Sequence, residues 1–150
     1  MLTVLTWRLP IFARTLGSLR FGSAEIERFK TFIDLPGDFR EAAKATNVLS
    51  WPSQERAALE DGADPNPIDQ AADDLSLGDI ALSYSTCRAE ADAAGLAFSD
   101  HILHLLVHSM LHLLGYDHKR DLDATLMEGL EIEILGKLGV NNPYKEITKA

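Results

Sequence analysis

The densest apolar stretch of the chain lies between Ile102 and Leu114, where Ile102, Leu103, Leu105, Leu106, Val107, Met110, Leu111, Leu113 and Leu114 leave few polar positions. Ser99 and Asp100 can begin a helix here and Gly115 can end it, and a helix apolar nearly all round belongs at the centre of a core. A later helix is predicted from Asp121 to about Leu138, with Leu122, Leu126, Leu130, Ile134 and Leu138 at helical spacing and Gly139 as its stop. Upstream, Ser85 or Thr86 caps an alanine-rich helix that ends at Gly95. Short runs mark strands instead at residues 79–84, with Ile80 and Leu82 on one face, and at residues 47–51, closed by Pro52.

The first third of the chain has weaker patterning. Residues 2–6 read as a short strand, and the remainder through Gly22 carries mixed signals. Ser23 caps a predicted helix with Ile26, Phe29, Phe32 and Ile33 as its apolar face. That helix should end before Leu35-Pro36-Gly37, because the residue before a proline avoids the helical region. Residues 53–76 are rich in Asp, Glu, Ala, Gly and Pro, with Asp61-Gly62 and Asp64-Pro65-Asn66-Pro67 as breakers. They are expected to form an acidic surface loop, a solvated insertion rather than a binding arm.

Composition narrows the class. A chain of 150 residues that is 46% hydrophobic can bury one sizeable core, so residues 1–150 are read as a single domain. The single cysteine, Cys87, excludes an intramolecular disulfide and a cysteine-rich zinc finger, and suits a reducing compartment. The apolar opening is broken by Arg8 and Pro10, is too short to span a bilayer and is followed by no small-residue cleavage pattern. A cytoplasmic protein with no membrane association is expected. The formal charge of -9 is uneven: residues 1–50 hold seven Lys or Arg against five Asp or Glu, and residues 51–150 hold seven against eighteen. Repulsion from phosphates makes such a chain a poor generic nucleic-acid binder, so any such role requires a local basic site.

The candidate chemistry is concentrated in the central helix. All five histidines, His101, His104, His108, His112 and His118, fall within eighteen residues. Residues four apart on a helix are separated by about 40° and about 6 Å, so His108 and His112 project side by side and can share a metal ion. On an uninterrupted helix His118 would sit roughly 240° further round and about 9 Å further along. Gly115 allows a left-handed stop from which the chain can turn back and present His118 to the same ion. Three histidines leave one position of a tetrahedral metal open, as in catalytic zinc sites, and imidazole also suits nickel and copper. Asp117 is placed to fix a ligand's orientation or to act behind the ligands, since ligating histidines usually donate their other nitrogen. A histidine in an apolar helix is ordinarily a satisfied core residue, and His101 and His104 are assigned no ligand role. Zinc peptidases use the same spacing with a glutamate directly after the first histidine; Ser109 stands there and cannot act as that base.

The run H-x-x-x-H-x-x-G-Y-D-H at His108–His118, together with Thr46-Asn47-Val48-Leu49-Ser50-Trp51-Pro52, Leu77-Gly78-Asp79-Ile80 and Asn142-Pro143-Tyr144, resembles the bacterial YbeY family of metal-dependent single-strand endoribonucleases. The resemblance covers about residues 39–145 and is poor over residues 1–38. Ser109 stands where the family usually has glycine, adding a side chain expected near the metal, and Ala45 stands where proline is common. The resemblance implies an α+β fold, with a small mixed β-sheet packed against helices and a three-histidine metal site at the break after the central helix. It implies one Zn2+ held by His108, His112 and His118. Arg40 matches an arginine that faces the metal in the family and is the candidate catalytic phosphate binder, since a guanidinium can hold phosphate oxygens by paired hydrogen bonds. Lys44, Lys119 and Arg120 lie beside the motifs and can supply local basic surface.

By the same resemblance the expected function is cleavage of single-stranded RNA in rRNA processing, including 16S rRNA maturation and ribosome quality control, with rRNA precursors and the small ribosomal subunit as partners and no DNA. Two alternatives stay open from the sequence. One is a metal-dependent hydrolase of another substrate, a peptide or amide. The other is a ribosome-assembly factor whose zinc is mainly structural.

Overall fold

The computed structural model describes residues 2–8, as backbone, and residues 47–69 and 76–145. Strand β1 spans Leu2–Arg8, β2 Val48–Pro52 and β3 Ser76–Ser83; helix α1 spans Tyr84–Ala94, α2 Phe98–Leu114 and α3 Asp121–Lys137. The fold is α+β, as expected. Among the described residues the sheet has the order β1-β3-β2, and both pairings are antiparallel. The predicted helix after Ser23, Arg40 and Lys44 lie outside the described residues.

Strand β3 is the middle of this sheet, and Leu77, Ile80, Ala81 and Leu82 on it are buried. It starts at Ser76 and runs directly into α1, so the strand begins earlier and the helix slightly earlier than the sequence pattern suggested. Gly78 has φ 132 and lies so close to β2 that a Cβ there would stand 2.0 Å from the Trp51 carbonyl oxygen, which only glycine permits.

Helix α2 is covered on two sides, which explains its nearly continuous apolar sequence. Ile102, Leu105, Leu106, Met110 and Leu113 pack with Leu77, Ile80, Leu82 and Cys87 of β3 and α1. Val107 and Leu111 pack instead with Tyr116 and with Met127, Ile134 and Leu135 of α3. Each fully buried Leu contributes about 1.5–3 kcal/mol relative to exposure, so the element bearing most of the histidines is firmly held.

Helix α3 corrects the sequence reading in one respect. The predicted apolar stripe advanced in steps of four residues, each of which turns about 40°, so five such positions sweep about 160° and cannot share one face. The buried positions are Met127, Glu131, Ile134 and Leu135; Leu126, Leu130 and Leu138 pack at the margin, and Leu122 is 57% exposed. A glutamate therefore occupies a position that the core periodicity assigns to an apolar residue.

Described residues 53–69 form the expected loop without helix or strand, but not a detached insertion. Arg56 is only 4% exposed and donates through Nη1 to the carbonyl of Leu113, one of the terminal carbonyls of α2. Arg120 donates to the carbonyls of Ala58, Leu59 and Glu60, and the Gly62 amide donates to Asp123. The loop is thus strapped across the end of α2 and the start of α3.

Candidate metal centre

Helix α2 ends in a Schellman motif. Gly115, at φ 103 and ψ 1, donates its amide to the His112 carbonyl at 3.0 Å, and the Tyr116 amide donates to the Leu111 carbonyl at 3.0 Å. Tyr116 packs in the same cluster as Leu111, the apolar contact that accompanies this motif. The reversal brings His118 back to the helix: ring centroids lie 4.6 Å apart for His108 and His112, 5.0 Å for His112 and His118, and 5.2 Å for His108 and His118. One ligating atom from each of the three lies within 4.8 Å of the others.

The hydrogen bonds on the far side of two rings fix what the near side can do. His112 Nδ1 faces the Tyr116 carbonyl oxygen at 2.9 Å; a carbonyl only accepts, so Nδ1 carries the proton. His108 Nδ1 faces Glu131 Oε1 at 2.6 Å and likewise donates. In the neutral tautomers both Nε2 atoms then present bare lone pairs, yet they face each other across 3.0 Å. Two converging lone pairs repel unless a cation lies between them. The separation is close to the ~3.3 Å between nitrogens on a tetrahedral zinc, and the donor set fits a divalent metal. Burial, followed by repulsion from His108, lowers the His112 pKa despite the pull of the Tyr116 carbonyl, which favours the neutral, ligating imidazole.

Glu131 is fully buried on α3 and takes three donors. Oε1 accepts from His108, and Oε2 accepts from His104 Nε2 at 3.0 Å and from the Tyr144 hydroxyl. Burial would raise its pKa, but these hydrogen bonds prevail and hold it at about 2, so the carboxylate is ionised. Its field, added to burial, pushes the Tyr144 phenol well above its ordinary range. Sequence reasoning missed the carboxylate because the apolar face assigned to this helix ran through Leu122, Leu126, Leu130, Ile134 and Leu138 and passed over position 131. The signal that would have found it is its spacing from Met127, Ile134 and Leu135, all on the buried face.

Other predicted positions take different roles. Asp117 does not orient a ligand ring: its Oδ1 accepts from the His118 amide at 2.8 Å and its Oδ2 pairs with Lys119 at 3.3 Å. Ser109 does not project toward the three histidines; it is 0% exposed, and its hydroxyl donates back to the Leu105 carbonyl at 2.7 Å. His101 pairs with Glu90 at 2.9 Å, while His104 binds Glu131 at 3.0 Å and meets the His108 ring edge-on, with centroids 6.4 Å apart. Arg120 is held by Asp123 and the loop carbonyls rather than offered to a ligand. Lys119, 84% exposed at the rim, retains the accessible charge expected of it.

The triplet opens onto a cleft of about 460 Å³ that is also lined by Val48, Leu49, Ser50 and Pro52 of β2. Among the described residues, no helix is long and apolar enough to cross a membrane.

Comparison with known proteins agrees with this arrangement. The family model described as Endoribonuclease YbeY matches residues 28–139, beginning earlier than the motifs alone suggested and including all three histidines. A relative named Endoribonuclease YbeY from Ruegeria sp. (strain TM1040) is 59% identical over 112 residues, covering 74% of this chain and 66% of that protein. One of the same name from Paracoccus denitrificans (strain Pd 1222) is 56% identical over 112 residues, covering 75% and 62%. A more distant one from Sphingopyxis alaskensis (strain DSM 13593 / LMG 18877 / RB2256) is 44% identical over 109 residues, covering 73% and 62%. The chain spans about two thirds of the length of the curated relatives it matches.

Proposed function

Since the chain belongs to the YbeY family, we propose that it is a zinc-dependent endoribonuclease that cuts single-stranded RNA, acting in rRNA processing. The observation that carries the reading is the convergence of two tautomer-fixed Nε2 lone pairs and His118 at the floor of an open cleft. His108, His112 and His118 would hold the ion, and a bound divalent metal would supply positive charge to a phosphate oxygen of the substrate. The chain's own residues do the rest. Lys119 attracts phosphate at the rim of an otherwise acidic surface, and Arg40 is the proposed catalytic residue that grips the scissile phosphate. Strand β2, which lines the same cleft as the histidines, confines the substrate there.

In this reading residues 1–150 act as one catalytic domain in the cytoplasm, on 16S rRNA precursors and defective ribosomes, with the small ribosomal subunit as partner. The position after the first ligand supports an RNA rather than a peptide substrate, because the Ser109 hydroxyl is buried in the helix and no carboxylate follows His108. The decisive experiment is metal analysis alongside cleavage of a single-stranded RNA by the parent, His112→Ala and Arg40→Ala. The expected outcome is loss of metal and cleavage in His112→Ala, and retained metal with lost cleavage in Arg40→Ala. Cleavage at the parental rate by Arg40→Ala would remove it from the mechanism, and hydrolysis of peptides but not RNA by the parent would replace the substrate.

A further inference from the structure

The buried carboxylate on α3 is not explained by packing. Glu131 is 0% exposed in a position flanked by Met127, Ile134 and Leu135, where an aliphatic side chain would fill the space without any polar group to satisfy. Burying a carboxylate is costly unless every lone pair is used. Here Oε1 is turned to His108, and Oε2 is held by His104 and by the Tyr144 hydroxyl from the segment beyond α3.

We propose that Glu131 is the positioning residue of the metal centre, fixing the tautomer and ring plane of His108 and increasing the basicity of its Nε2, with His104 and Tyr144 holding the carboxylate in place. The proposal rests on the metal-centre reading above. It assigns the two ligand histidines of α2 unequal support: His112 is fixed by a neutral backbone carbonyl, whereas His108 is fixed by an anion. A carboxylate behind one ligand also offsets part of the charge that three neutral imidazoles leave on a divalent ion. His104, which the histidine spacing left without a role, then becomes a donor that aims the carboxylate, and Tyr144 links the end of the described chain to the site.

The test compares the parent with Glu131→Gln and Tyr144→Phe, titrating Zn2+ against a competing chelator and recording the visible spectrum of the Co2+ form. The melting temperature of each metal-free protein is measured in parallel. Glu131→Gln keeps the volume and removes the anion. Zn2+ affinity is expected to fall about 10–100-fold, the loss typical of removing such a partner, with a shifted Co2+ ligand-field band. Tyr144→Phe leaves the Glu131–His108 contact intact and should weaken Zn2+ binding by a smaller factor in the same direction; it also carries the test if Glu131→Gln does not fold. A carboxylate that served only the fold would lower the metal-free melting temperature and leave affinity per folded molecule and the Co2+ spectrum at parental values, and that result overturns the proposal. Failure of the parent itself to bind Zn2+ or Co2+ would overturn the metal-centre reading and this inference together.

Discussion

The two sides of the three-histidine site are built differently. His108 and His112 stand on α2, which is clamped between the sheet and α3, and each ring has a partner at Nδ1. His118 is exposed on the turn beyond Gly115, and the contact that places it is made by its backbone amide to Asp117. The first side is rigid because the core makes it so, and it sets the direction of two lone pairs before any ion arrives. The second side is the more exposed and depends on the turn for its position. Rigidity and access are thus divided between a helix and a turn only a few residues apart.

Substitutions that affect one side at a time sharpen this division. The largest effect is expected from His112→Ala, which removes a pre-oriented ligand and should abolish stoichiometric Zn2+ in the purified protein; His118→Ala should retain weak binding on the two helix-borne rings, detectable by competition titration. Equal losses in the two variants would erase the distinction. Next in size, Gly115→Val places a side chain at φ 103, where even a Cβ would lie 2.8 Å from Arg56 Cβ and 2.9 Å from Pro65 Cβ. A cost of about 2 kcal/mol or more follows from backbone strain and the clash, read as a lowered melting temperature together with weakened metal binding.

Arg56→Met tests whether the loop supports the turn from above. It leaves the Leu113 carbonyl without its donor in a buried setting, at a cost of about 1–3 kcal/mol in denaturant unfolding. The smallest effect belongs to Asp123→Asn at the loop strap. The Arg120 side chain and the Gly62 amide hold the Asp123 pKa below its ordinary value. Its contribution is therefore fully present above the unfolded value near 4 and is lost as pH falls through the lower folded value. The parent loop should become more susceptible to proteolysis between residues 57 and 64 as the medium is acidified in that window. Asp123→Asn should show the same susceptibility at neutral pH, with the metal centre unchanged.

Much of the metal centre was legible because its determinants are local. The four-residue step from His108 to His112 and the glycine before His118 fix their relative geometry within one helix and one turn, and the structure follows that geometry closely. Helix ends at Gly95, Gly115 and Gly139 were legible for the same reason. What the sequence concealed depends on contacts between distant segments. Glu131 meets His108 only because α3 packs on α2, and Arg56 reaches Leu113 from a loop whose composition looked merely solvated. Asp117 acts through the main chain: the turn directs its carboxylate to the His118 amide rather than to a ring nitrogen. The role of Arg40 depends on a segment outside the described residues and rests on the proposed experiment.

The stop after α2 also determines how the chain can change length. One residue inserted before Gly115 would rotate everything beyond it by about 100°, carrying the Tyr116 carbonyl away from His112 and His118 away from both partners. One inserted between Tyr116 and His118 would leave the helix-borne pair and their hydrogen bonds intact and misplace only the third ligand. Length variation across this short span is therefore graded in its damage, whereas the exposed tip of the loop at Leu59, 96% accessible, can vary with little effect on the site.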